Sequence, residues 1–145
     1  MTQFEIKGAA ELLKRMREFT PKLQRRGARR ATRRAMSVVR DAVKASARQF
    51  DDPATPQQIW KLVSIAESSR QSKAVGGVVM RVGIRGGAKS RKDKAHPWYW
   101  RLRELGSEHQ RAQPFIRPAL ENNAQAVADR LVTELNKALD QEATR

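Results

Sequence analysis

Apolar positions along the chain follow a helical period in three stretches and alternate in one. In 8–19, Leu12, Leu13, Met16 and Phe19 recur at helical spacing and predict a short amphipathic helix. The preceding "FEI" (4–6) fits a short strand. Thr20-Pro21 then supplies a capping residue followed by a proline at the first helical position. From Pro21 to Phe50 one long helix is expected. Ala28, Ala31, Ala35, Val38, Val39, Ala42 and Ala45 fall on one side of it. That side is small, so a packing partner can approach closely. Gly27 weakens the first turns by about 1 kcal/mol relative to alanine.

"DDPATPQ" (51–57) ends that helix, and Thr55-Pro56 repeats the cap-plus-proline signal. Residues 59–65 fit a helix or a strand equally. In "GGVVMRVGIRGG" (76–87), Val78, Met80, Val82 and Ile84 alternate with Val79, Arg81, Gly83 and Arg85, the period of a strand. "LVSIAESS" (62–69) is a plausible antiparallel partner, joined to it through "RQSKAVGG". "RGGAKSRKDKAHP" (85–97) has no apolar periodicity and reads as a basic flexible loop. In the last helix Leu120, Ala124, Val127, Leu131, Leu135 and Leu139 form a 3–4 stripe. The tail, 141–145, is expected to fray. The expectation is a single α+β domain over 1–145. Its long basic N-terminal helix and its C-terminal helix pack on a small antiparallel β-sheet.

Charge changes this picture at one place. The net charge is +15, from 30 Lys and Arg against 15 Asp and Glu. DNA, RNA, a phospholipid surface or an acidic protein would all complement it. The charge is concentrated in "QRRGARRATRR" (24–34), where arginines fall in pairs four residues apart. They occupy the side of the long helix opposite its alanines, and no acidic residue occurs between Glu18 and Asp41. Like charges four apart on a helix repel by a few tenths of a kcal/mol per pair. An acceptor outside the helix is therefore expected, either DNA phosphate or an acidic patch on a neighbouring protein. Arg25, Arg29, Arg30, Arg33 and Arg34 are the candidate contacts. Lys89, Arg91, Lys92 and Lys94 form a second basic set on the loop.

Candidate chemistry is otherwise thin. Cysteine is absent, which excludes disulfides and thiolate metal sites. His96 and His109 match no metal-ligand spacing, even taken with Asp93 or Glu104. "GIRGGAKS" (83–90) has Ala88 where a phosphate loop needs glycine. No serine sits in a strained glycine elbow. No enzyme, metal or cofactor is expected. No apolar run approaches the roughly 20 residues that span a bilayer, and the first residues do not form a secretory signal, so no membrane is expected either. Trp98, Tyr99, Trp100 and Phe115 are candidates for core or subunit-interface anchors, with base stacking as the alternative for the first three.

One stretch is more specific. In "HPWYWRLRELGSEHQRAQPFIRPALENNAQAVADRL" (96–131), Tyr99 and Trp100 precede a short apolar run. Glu104, Leu105, Gly106 and Ser107 form a second block, and Ala112, Pro114, Phe115, Ile116, Arg117, Pro118 and Ala119 a third. This pattern resembles a small tail-component family of long-tailed bacteriophages, encoded in the head–tail joining gene cluster. Its members are called tail completion, neck or minor tail proteins. The family's "Pro-x-x-Thr-Gly-x-Leu-Arg" before the middle strands is replaced here by "PATPQQIWKL" (53–62).

The resemblance implies a structural virion protein in the tail or neck, assembled in the host bacterial cytoplasm. It implies a homo-oligomeric, sixfold ring around the channel through which viral double-stranded DNA passes. The neighbours would be tail or neck proteins: a tail terminator, the tail tube or a head-side connector. A ring copies each subunit's charge around its lumen, and contacts to phosphate carry no sequence information. A free, sequence-nonspecific nucleic-acid-binding protein is the alternative that the charge alone suggests.

Overall fold

The computed structural model describes residues 6–55, 57–85, 97 and 99–145. Its elements in chain order are α1 (Ala9–Arg17), α2 (Pro21–Ala35), α3 (Ser37–Arg48), α4 (Ile59–Leu62), β1 (Val63–Glu67), α5 (Ser69–Val75), β2 (Met80–Ile84), α6 (Trp100–Leu105), α7 (Ile116–Asn122) and α8 (Ala124–Ala143). Most of the expected "FEI" strand lies outside the described residues, and Ile6 is exposed and not in a strand. β1 and β2 pair as a two-stranded sheet. Ser68 N–H donates to Val79 O at 2.9 Å and Arg85 N–H to Leu62 O at 2.8 Å, which fixes the pairing as antiparallel. The class is α+β.

The chain divides into two compact units, each assembled from separated stretches. The first takes Met1–Val38, Ile65–Arg81 and Asn123–Arg145, the second Val39–Ser64 and Val82–Asn122.

In the first unit, α2 packs chiefly against α8, with α1 also on α8. Thr20 caps α2 as its sequence predicts, its Oγ1 accepting from Leu23 N–H at 3.4 Å, with Pro21 in the first turn. The buried face of α2 is Gly27, Ala31 and Ala35, and that of α8 includes Ala128, Ala138 and Leu139. These residues are small enough for the helices to approach closely. A Cβ placed on Gly27 would stand 3.7 Å from Ala138 Cβ. Leu12 is the buried residue of α1, whereas Leu13 is exposed.

Two expected helices are interrupted. The long helix breaks at Met36, which ends α2. There Ser37 Oγ donates to Arg34 O at 2.7 Å, a local bond that competes with the helical ladder. The C-terminal stripe breaks at Asn123, so Leu120 belongs to α7 and is exposed. The tail, expected to fray, is helical through Ala143. Glu142 is held there by Arg26 at 2.8 Å and Arg145 at 3.8 Å.

The link between the strands contains a helix, α5, that lacks any apolar period in sequence. It ends at Gly76, whose φ of +67° is the left-handed conformation of a helix stop. Ser72, 1% exposed, accepts from Val79 N–H through its Oγ at 2.9 Å and so pins the entry to β2.

In the second unit the core is Val39, Val43 and Ala47 of α3, with Ile59, Val63, Phe115 and Ala119. Phe50 meets Phe115 edge-on, with ring centroids 4.8 Å apart. The ambiguous stretch 59–65 is one helical turn followed by a strand. Thr55 does not cap that turn. Asp51 does, accepting from Ile59 N–H at 2.8 Å and Trp60 N–H at 3.1 Å with its two oxygens.

Candidate functional site: the arginine face and the Glu104 loop

All but one of the arginines of α2 have acceptors inside their own unit. Arg26 pairs with Glu142 at 2.8 Å and Arg34 with Glu134 at 3.1 Å, both carboxylates being on α8. Arg30 Nη1 donates to Gln141 Oε1 at 3.0 Å. Arg29 pairs with Glu67 of β1 at 2.6 Å, and Arg33 Nη1 donates to Ile65 O at 3.2 Å. From α1, Arg15 donates to Asn136 at 2.7 Å and to Asp140. Of the five candidate contacts only Arg25 has no hydrogen-bond or ion-pair partner among the described residues. The acceptor that the repelling arginines require is present in the fold itself.

Glu134 and Glu142 are the most enclosed of these carboxylates, with 9% and 8% of their side chains exposed. Arg34's hydrogen bond holds the Glu134 carboxyl below the ordinary value. Burial opposes this, and the charges of Lys137, Arg34 and Arg130 add to it. The outer ion pairs keep arginine side chains about half exposed, where each contributes at most about 1 kcal/mol.

The second unit contains the stretch that carries the family resemblance. Glu104, at the end of α6, turns both carboxylate oxygens onto the start of α7. Oε2 accepts from Phe115 N–H at 2.7 Å and Ile116 N–H at 3.0 Å, and Oε1 accepts from Arg117 N–H at 3.1 Å. Backbone donors left open by the helix start are thereby satisfied by a negative charge. Gly106 makes the intervening turn with φ +81°, and a Cβ there would lie 2.9 Å from Ala112 N. Gln113 N–H closes the loop on Arg103 O at 2.7 Å. Phe115 is thus delivered into the core, where Phe50 also carries the Arg103 guanidinium 3.9 Å from its ring centroid.

The other aromatic candidates are placed differently. Tyr99 Oη accepts from Asp52 N–H at 3.2 Å. Trp100 is half-buried, with Arg101 5.4 Å from its ring, and its Nε1 is buried without a partner among the described residues. Trp98, Lys89, Arg91, Lys92, Lys94 and His96 lie outside the described residues. His109 is exposed. Sequence reasoning missed Trp60, which stacks 4.3 Å from Arg48, although these are the first aromatic after the "DDPATPQ" turn and the last cation before it. It also missed Glu134, whose only signal is a carboxylate among the α8 apolar positions.

Among the described residues no His, Cys, Asp and Glu cluster is placed to hold a metal ion, and no helix is long and apolar enough to cross a membrane. No family model, curated protein or solved structure matches the chain.

Proposed function

We propose that the protein is a structural virion component of a long-tailed bacteriophage, a tail completion or neck subunit that helps join tail to head. It acts in a homo-oligomeric, hexameric ring around the DNA channel and contacts neighbouring tail or neck proteins. It carries out no chemical step. The observation that supports this reading is the Glu104 loop. The blocks that resemble the tail-component family are separate in sequence, yet here they make one device. Glu104 of one block caps the helix that opens in the next, and Gly106 lies against Ala112. A shared motif that serves to deliver Phe115 and present α7 suits an assembly protein, whose product is a fixed shape.

Free, sequence-nonspecific binding of nucleic acid is the rival, favoured by the +15 charge. Its natural surface is the α2 face, and most of those arginines already hold acceptors. Phosphate would have to displace them, which weakens the rival.

Location in the particle tests the proposal. An antibody against this chain should label purified virions at the head–tail junction. Labelling along the tail shaft, on the capsid, or nowhere on the particle would contradict it.

A further inference from the structure

The first unit contains a cleft of about 560 Å³ between the α1/α2 corner and the end of α5. Its size falls within the range of specific binding sites. Met16, Pro21, Ala28 and Val78 give it an apolar lining, and Arg25 and Lys73 bring two cations. Neither cation has a partner among the described residues. The other polar side chains there are engaged: Gln24 Nε2 donates to Phe19 O at 2.8 Å, and Ser72 Oγ accepts from Val79 N–H. Arg25 is also the one candidate arginine of α2 for which the described residues supply no acceptor. Beside the cleft, Val75 is 67% exposed, so apolar surface continues past its edge.

This combination selects a particular chemistry. Unpaired cations beside an apolar lining complement an acidic group carried next to an apolar one. Duplex DNA offers neither recess-filling shape nor apolar side chains, and its affinity is built from many phosphate contacts. Single-stranded nucleic acid is held by stacking on aromatic rings, and none lines this cleft. We propose that the cleft docks a short acidic–apolar segment of a partner protein. The carboxylate is held by Arg25 and Lys73, and the neighbouring apolar side chain sits against Met16, Ala28 and Val78. The proposal does not rest on the neck assignment, because it is tested on the purified chain alone.

The experiment is an NMR titration of the full chain with the N-acetylated, C-amidated hexapeptide Ser-Asp-Leu-Glu-Leu-Ser. The Gly76 and Gly77 amide signals are expected to shift saturably, with micromolar to sub-millimolar affinity. The version carrying Asn and Gln in place of the acids should bind roughly tenfold more weakly or worse. Arg25→Glu with Lys73→Glu should abolish the response, and so should Ala28→Trp, which keeps both charges and fills the cleft. Folding of each variant is checked by its remaining amide spectrum. Absence of a shift, binding indifferent to these substitutions, or the same shift produced by a short DNA duplex instead of the peptide would overturn the proposal.

Discussion

Arg34 and Glu134, one hundred positions apart in sequence, meet at 3.1 Å across α2 and α8. Eight residues back along α2 and eight forward along α8, Arg26 meets Glu142 at 2.8 Å. Equal steps in opposite directions place the two helices antiparallel and in register. Eight residues are slightly more than two helical turns, so both pairs lie along one seam. Between them Gly27 and Ala31 lie buried on the same helix. The basic face of α2 is therefore one half of a charged helix–helix joint.

That joint should weaken in acid. Glu134 has its carboxyl lowered below 4.5, first by Arg34's hydrogen bond. A lowered carboxylate contributes stability that is present above its unfolded value and is lost as pH falls through the folded one. Urea midpoints should fall as pH drops below about 4.5. Glu134→Gln should be less stable at neutral pH and show a shallower acid decline. An unchanged decline in the variant would assign acid sensitivity to other groups.

Gly27→Ala should stabilise the protein. The added methyl meets Ala138 Cβ at ordinary contact distance, 3.7 Å, and Gly27 lies inside α2. Helix propensity and reduced unfolded-state freedom favour alanine by about 0.5–1 kcal/mol. A lowered thermal midpoint would mean that the α2–α8 joint leaves no room for the methyl at 3.7 Å.

Glu104→Ala should destabilise the second unit by about 2–3 kcal/mol, because hydrogen bonds from three backbone N–H groups to a charged acceptor are lost. Glu104→Gln should retain part of this. Gly106→Ala should cost about 1–3 kcal/mol through its positive φ and the 2.9 Å approach to Ala112 N. Denaturant unfolding monitored at the tryptophans measures all three. Neutral behaviour of both Glu104→Ala and Gly106→Ala would remove the loop's structural role.

The strands, the Thr20 cap and the Gly106 turn were legible because each rests on local chemistry: alternation, a side-chain oxygen near an open N–H, a residue without Cβ. The break at Met36 was hidden because the apolar period runs through it, and Ser37's competing bond leaves no mark on that period. α5 was hidden for the opposite reason, a polar helix held at Ser72 and stopped at Gly76. The arginine face was visible in sequence, but its acceptors were not. Glu134 and Glu142 lie beyond both strands, and nothing local to α2 points to them. The cap by Glu104 was equally out of view, since the motif residues were legible while the bond uniting them spans a loop.

The proposed role at the head–tail joint is decided by imaging particles assembled without this protein. Electron micrographs of lysates from phage lacking this chain should contain filled heads and full-length tails that are not joined. Joined, infectious particles at normal yield would contradict the claim.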